Sequence, residues 1–287
     1  MKIGISARIG QKNGFGRYGN DTYKKLKQLG FDTADFNMSN TDDEIYTLPL
    51  EQADKLLLKE KALADEAGIK FSQVHGPWRY PPRDGTDEER AERFEKMQAS
   101  IRKTALLGCK YWVIHPLMPF GMEERNTPQA ELTRKINLQF FEELLKTAKE
   151  HDVIICLENM PMPNFSISTP EDILSIVNEI NDANFKVCLD TGHVNVFKNL
   201  NIYDEVKRLG DKLKVLHVHD NILSLDIHLL PFFGTLDWKG FSSALKEIGF
   251  NGSFSIESAI PDKLPNHLFD EANTLLVKVI NHIISDN

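Results

Sequence analysis

The stretch "VLHVHDNILSLDIHLLP", residues 215–231, begins as a short apolar run and continues into a segment rich in histidine and aspartate. It contains three of the 9 histidines of the chain, together with two aspartates. An apolar strand that carries polar side chains at its far end is typical of folds whose active site lies at the carboxyl ends of parallel strands. The pattern of the remaining chain decides whether this stretch belongs to such a fold.

The same plan recurs along the whole chain, where short apolar runs alternate with longer amphipathic stretches. There are eight such runs: KIGIS, TADFN, KFSQVH, KYWVIHP, VIICLEN, FKVCLD, LKVLHVH and SFSIES. The stretches between them have helical periodicity, as in residues 127–152, where apolar side chains recur every four positions from Ile136 to Ala148. Thr169 followed by Pro170 offers a capping side chain and a first-turn proline, which together predict a helix start.

Strands that alternate with helices indicate parallel strands joined by right-handed crossovers. An open doubly wound sheet and a closed (β/α)8 barrel both have this pattern. No GxGxxG sequence follows the first strand and no Walker-type loop is present, so a nucleotide-binding sheet has little support. No linker or low-complexity stretch divides the chain. We therefore predict a single (β/α)8 TIM barrel domain over residues 1–287.

Composition and charge limit the binding partners and the cellular compartment that can be expected for this protein. The net charge of -8 opposes binding to nucleic acid or to anionic membranes, and no apolar run approaches the ~20 residues of a membrane span. The amino terminus enters a strand-like run without the features of a signal peptide, so a cytoplasmic location is expected. Cys109, Cys156 and Cys188 lie in apolar runs without a CxxC pair, which predicts buried free thiols.

Six successive strands, from the third to the eighth, end in side chains that can titrate or bind a metal. These are His75, His115, Glu158, Asp190 with His193 just beyond it, His217 with His219, and Glu257. In a barrel these ends surround one mouth, where such folds carry their chemistry. A bound divalent cation would offset the cost of burying charges there. Mixed carboxylate and imidazole ligands suit Mn²⁺, Zn²⁺, Co²⁺ or Fe²⁺, and carboxylate-rich sites also take Mg²⁺.

The segment "HGPWRYPP", residues 75–82, adds an aromatic side chain and a cation beside the predicted mouth. Trp78 and Arg79 together could bind a sugar ring and its hydroxyls, or a phosphate. The alternative is that Trp78 packs in the core and that Arg79 is solvated.

At these residues the chain resembles the xylose isomerase-like (β/α)8 superfamily, in particular its sugar phosphate isomerase/epimerase members, which share a fold with endonuclease IV. The resemblance covers nearly the whole chain and rests on "LEN", "LDTGH", "HVHDN", "DIHLLPFFGTLDW" and "FSIES", in that order and at strand ends. The chain departs from the pattern at Phe233-Gly234-Thr235, where relatives commonly have a glycine-acid-glycine turn.

The resemblance implies one divalent metal ion (Mn, Co, Mg or Zn) and a small-molecule carbohydrate substrate. The implied metal ligands are Glu158, Asp190, His217 and Glu257. Isomerisation or epimerisation removes a proton next to a carbonyl and passes through an enediolate, which the metal stabilises as a Lewis acid. Glu158 and Glu257 would exchange protons with opposite faces of the substrate. The predicted substrate-binding residues are His75, His115, His193, His219, Trp78 and Arg79.

Asp226 and His228 form a D-x-H pair, which is a candidate for an additional metal or loop site. Endonuclease IV uses such a pair in a three-metal site, so phosphodiester cleavage is an alternative activity. The negative charge and the absence of a basic, aromatic set suited to opening a duplex count against it, and no nucleic-acid partner is expected. The same strand-end residues would also suit a lyase, dehydratase or hydrolase acting on a sugar or inositol derivative, or a non-catalytic sugar-binding barrel.

The exposed barrel helices could also form a homo-oligomer.

Overall fold

The computed structural model describes residues 1–8, 14–78, 80–258 and 260–285. All eight predicted strands are present. They are β1 (Lys2–Ser6), β2 (Thr33–Asn37), β3 (Lys70–His75), β4 (Tyr111–Ile114), β5 (Ile154–Glu158), β6 (Phe185–Asp190), β7 (Leu213–His217) and β8 (Ser253–Ile256). His115 and Glu257 directly follow β4 and β8, and His219 lies two residues beyond β7.

Helices connect these strands around the outside. They are α1 (Thr22–Leu29), α2 (Glu44–Thr47), α3 (Leu50–Ala67), α4 (Asp87–Leu106), α5 (Gln129–Glu150), α6 (Pro170–Ile180), α7 (Thr191–Asn195), α8 (Ile202–Leu209), α9 (Trp238–Glu247) and α10 (Asn266–Ser285). Two 3₁₀ helices occupy Gly14–Asp21 and Gly210–Lys212. No helix within the described ranges combines the length and the hydropathy of a membrane span.

The strands form one parallel sheet in the order β7-β6-β5-β4-β3-β2-β1-β8. Residues beyond β7 close this sheet into a barrel. The amide of Val218 donates to the carbonyl of Ser255 at 2.8 Å, and the amide of Glu257 donates to the carbonyl of Val218 at 3.0 Å. The prediction of a single (β/α)8 TIM barrel is confirmed.

Apolar side chains form a layer on each side of the strands. The larger layer lies between the barrel and the helices, where Phe36, Trp112 and Phe254 are fully buried. The smaller layer lies inside the barrel and consists of Val113, Cys156, Cys188 and Val215. Side chains two positions apart on a strand point to the same face, so the next inward residue of each of these strands stands at the mouth.

The cysteine prediction is confirmed, since all three thiols are buried and free. Cys156 and Cys188 belong to the inner layer, whereas Cys109 lies just before β4. Burial raises the pKa of Cys109 to about 12, which leaves this thiol unreactive at neutral pH.

The helix start predicted at Thr169 and Pro170 is confirmed at α6. The Thr169 hydroxyl accepts from the amide of Asp172 at 3.2 Å, and the Asp172 carboxylate accepts from the amide of Thr169 at 2.9 Å. This reciprocal cap satisfies two amides that a helix end otherwise leaves without partners.

Candidate active site

A cavity of about 360 Å³ opens at the carboxyl ends of the strands, a volume in the range of small-molecule sites. Residues from five strand ends, from the loops after β2, β3, β5 and β7 and from α7 line it. Its polar lining residues are Asn37, Ser39, His75, His115, Glu158, His193, Asp226, His228 and Glu257. Its larger apolar and aromatic lining residues are Trp78, Tyr80, Met160, Pro161 and Met162. The strand ends therefore supply polar groups to the cavity, and the loops after β3 and β5 supply its larger apolar and aromatic groups.

The four residues implied as metal ligands meet at the floor of this cavity, where Glu158 and Glu257 line it and Asp190 and His217 lie beside them without lining it. Glu158, Asp190, His217 and Glu257 each offer one ligand atom, and these atoms all lie within 4.8 Å of one another. The Nδ1 of His217 lies 2.8 Å from Oε1 of Glu158 and 3.5 Å from Oε2 of Glu257. Each side chain comes from a different strand end, so the barrel itself assembles the group.

The chemistry of this group fits a divalent cation. Glu158 and Asp190 are buried, and Glu257 is partly buried beside them. The Oε2 of Glu158 makes no hydrogen bond among the described residues. None of the described residues that line the cavity is a lysine or an arginine. Histidines are the only described lining residues that can carry a positive charge beside these carboxylates, and an ion with oxygen and imidazole ligands would supply further positive charge.

The two glutamates of this group have pKa values shifted in opposite directions. Burial raises the pKa of Glu158, but His217 and His115 outweigh it and lower that pKa well below its ordinary value. Burial raises the pKa of Glu257, and Glu158 and Asp190 raise it further. Paired carboxyls with diverging pKa values are typical of sites that move protons.

The loop after β7 folds back over the mouth and brings Asp226 and His228 to His193 and His219, which follow β6 and β7. Nε2 of His193 lies 3.4 Å from Oδ2 of Asp226, and the rings of His219 and His228 stack with centroids 3.9 Å apart. Nε2 of His219 also lies 2.9 Å from Oδ1 of Asp190. Burial lowers the pKa of His193, but Asp190 and Asp226 raise it to about 10. The predicted loop residues therefore join the site.

His75 and His115 occupy the side of the mouth formed by β3 and β4. Their Nε2 atoms lie 3.3 Å apart, and Nε2 of His115 is 3.1 Å from Oε2 of Glu158. The Trp78 ring packs edge-on against His115 with centroids 4.4 Å apart. Burial lowers the pKa of His115 to about 4, so this ring is neutral. Arg79 lies outside the described residues.

Asn159, the last residue of the "LEN" motif, ties β5 to β6, a role that sequence reasoning missed. Its side-chain amide donates to the carbonyl of Asp190 at 3.0 Å, and its Oδ1 accepts from the amide of Asp190 at 2.8 Å. Its own carbonyl accepts a hydrogen bond from Nδ1 of His193 at 2.7 Å, which leaves Nε2 turned toward Asp226. A polar residue directly after a buried strand was the available signal.

Asp220 and Asn221 organise the loop that carries Asp226 and His228, and sequence reasoning missed this role as well. The buried carboxylate of Asp220 accepts four hydrogen bonds. The donors are the amides of Asn221, Phe232 and Leu236 and the indole nitrogen of Trp238. Oδ1 of Asn221 accepts from the amides of Ile227 and His228. Gly234 is needed in this loop because a Cβ there would lie 2.3 Å from the carbonyl of Asn221.

Replacing Asp220 by alanine is expected to destabilise the protein by about 3 kcal/mol or more, because several buried donors would lose a charged acceptor. Asp237→Ala is the matched control, since it removes only the exposed cap of α9 and should cost about 1 kcal/mol. Urea unfolding measures both free energies. Equal losses in the two variants would contradict the organising role of Asp220.

Comparisons with known proteins agree with the barrel. The model of the family described as xylose isomerase-like TIM barrel matches residues 23–278. D-psicose 3-epimerase from Enterocloster bolteae is 28% identical over 268 residues, which are 90% of this chain and 82% of that protein. Inosose isomerase from Bacillus subtilis is 30% identical over 162 residues, which are 54% of this chain and 56% of that protein.

Among solved structures, that of the IOLI protein with a binding zinc atom superposes with a TM-score of 0.77 at 23% identity, over 99% of this chain and 98% of that one. At this identity the likeness concerns the fold. The family model, by contrast, matches the sequence from within α1 to within α10. The chain therefore belongs to the xylose isomerase-like TIM barrel family.

Proposed function

We propose that the protein is a divalent-metal-dependent isomerase or epimerase that acts on a sugar or a related cyclic ketone by proton transfer next to the carbonyl. The observation that carries this proposal is the placement of two glutamates around one histidine nitrogen. Oε1 of Glu158 and Oε2 of Glu257 lie 2.8 and 3.5 Å from Nδ1 of His217, and they arrive from strands three places apart in the barrel.

The four-residue group at the cavity floor would hold one Mn²⁺, Co²⁺, Mg²⁺ or Zn²⁺ ion, which supplies Lewis-acid polarisation of a substrate carbonyl. Glu158 and Glu257 reach the cavity from different sides, so one can accept a proton from the substrate carbon while the other returns a proton to the opposite face. Removal and return on opposite faces inverts a stereocentre. Return to the neighbouring carbon instead interconverts an aldose and a ketose.

The remaining lining residues would bind the substrate. His193 is held by Asn159 through Nδ1, so its Nε2 is available to a hydroxyl near Asp226. His75, His115 and His219 provide further polar contacts around Glu158 and Asp190. Trp78, Met160 and Met162 offer an apolar surface for ring carbons.

The test is proton exchange in D₂O with the Mn²⁺- or Co²⁺-loaded protein and a panel of ketoses, inososes and their phosphates. We expect deuterium to enter at the carbon next to the carbonyl, together with a new epimer or isomer, both visible by NMR. Glu158→Gln is the inactive control. Loss of water or of an aglycone without a new epimer would instead assign the site to the lyase or dehydratase class.

Phosphodiester cleavage is not favoured. The chain carries a net charge of -8, which opposes binding to a phosphate backbone. Cleavage of abasic DNA without exchange on any sugar would overturn the proposal.

A cytoplasmic location belongs to the same proposal and is supported by the three buried free thiols. Light scattering tests the proposed association of barrels through their outer helices.

A further inference from the structure

A buried polar chain lies directly behind His217, on the side away from the cavity floor. Oδ2 of Asp35 lies 3.3 Å from Nε2 of His217. The side-chain amide of Gln73 donates to the same Oδ2 at 2.9 Å and to the carbonyl of Leu216 at 3.1 Å. All three residues are buried, at 4% exposure or less. Neither Asp35 nor Gln73 lines the cavity, so neither contacts a substrate there.

Strand register explains why these residues meet inside the barrel. Asp35 on β2 and Gln73 on β3 are directly paired, immediately after a register shift between Ala34 and Asp35. Such a bulge re-aims side chains relative to the regular pleat. A carboxylate buried at this depth is costly unless donors face it, and the donors within reach are the Gln73 amide and the His217 ring.

The two nitrogens of His217 therefore face carboxylates on opposite sides. Nδ1 faces Glu158 and Glu257, and Nε2 faces Asp35. A histidine binds a metal through a ring nitrogen that carries no proton, so the proton must reside on the other nitrogen. Glu158 alone would attract the proton to Nδ1. An acceptor at Nε2 opposes that preference and also fixes the rotation of the ring.

We propose that Asp35 is a positioning residue that holds the proton of His217 on Nε2, so that Nδ1 is free to bind the metal ion of the proposed function. Gln73 orients Asp35 through its hydrogen bonds to Oδ2 and to the backbone of β7. The inference rests on the proposed metal site and extends it by two residues that do not bind the metal themselves.

The test compares the Co²⁺ affinity of four variants by calorimetry at one pH. Asp35→Asn can still present an oxygen to both donors but loses the charge, whereas Asp35→Ala loses the acceptor. We expect Co²⁺ binding about 10-fold weaker in Asp35→Asn and up to about 100-fold weaker in Asp35→Ala, with an altered Co²⁺ absorption spectrum. Gln73→Met should weaken binding by a smaller factor. Thr33→Val is the matched control, because it removes a buried β2 hydrogen bond to Ser253 and leaves His217 untouched.

Affinities of both Asp35 variants within about threefold of the unaltered protein, with an unchanged Co²⁺ spectrum, would overturn the positioning role. If Asp35→Ala does not fold, Asp35→Asn and Gln73→Met give the same decision, because they preserve volume. An equal loss in Thr33→Val would show a general effect of disturbing the barrel and would also overturn it. The readout is metal affinity, so weakened binding supports the role of Asp35 even if deuterium exchange rejects a sugar isomerase.

Discussion

Replacing Glu257 by glutamine is expected to reduce kcat for sugar isomerisation by roughly 10³-fold while KM changes little. Glutamine keeps the shape of the side chain and one oxygen, but it cannot accept or return a proton. The partner carboxylate Glu158 reaches the cavity from a strand three places away in the barrel and cannot replace it on the same substrate face. The decrease would therefore report the loss of one proton transfer.

The measurement is the rate of deuterium incorporation and of product formation, with metal content determined on the same samples. Glu257 is both a proposed metal ligand and a proposed proton-transfer residue. Measuring the metal content therefore shows whether the variant has lost the ion or only the proton transfer. Glu247→Gln is the matched control, since that exposed side chain on α9 pairs only with surface groups. A Glu257→Gln variant that retains bound metal and at least about a tenth of kcat would contradict its proton-transfer role.

Removing the metal with a chelator is expected to abolish activity and to lower the free energy of unfolding. The cation would bind the folded barrel alone, because only the fold brings the four ligands within 4.8 Å of one another. At a metal concentration 100 times Kd, this linkage contributes about 2.7 kcal/mol. In a chain of this size, that corresponds to a shift in Tm of several degrees. Adding Mn²⁺ or Co²⁺ back should restore both properties.

Calorimetric unfolding with and without metal measures the shift, and elemental analysis confirms the removal. Glu158→Gln should lose most of the metal-dependent shift, because its carboxylate lies at the centre of the group. Full activity in protein proven free of metal would contradict the proposed mechanism. A shift of the same size in Glu158→Gln would place the stabilising ion elsewhere.

The elements and the mouth residues were predictable because both signals are local. A strand shows in a short apolar run, and the side chain at its last inward position shows directly in the sequence, as with Glu158 at the end of "VIICLE". Once the alternation with helices indicates a parallel barrel, the strand ends must surround one mouth. That reasoning placed His75, His115 and Glu257 around one cavity without any knowledge of contacts.

The residues behind and beside the site were decided by tertiary structure alone. Asp35 lies mid-strand in "TADFN", and its sequence context does not distinguish a barrel-facing carboxylate from a solvated one. Its pairing with Gln73 depends on a register shift, and its proximity to His217 depends on how β2 and β7 face each other across the barrel. Neither the pairing of Asp35 with Gln73 nor its approach to His217 can be recognised from a local sequence pattern.

In the loop after β7, some features were likewise visible in the sequence and others depend on tertiary contacts. Its D-x-H pair was visible in the sequence, but the placement of Asp226 against His193 depends on the hydrogen bonds that Asp220 and Asn221 make across the loop. Phe232 has a φ of 72° in this loop, a conformation that glycine adopts more readily. The sequence by itself therefore determined the barrel and the residues at its mouth, because alternation and strand ends are local. Only the tertiary structure decided which residues position the side chains at the mouth, because strand register, barrel geometry and loop closure bring together positions that are far apart in the chain.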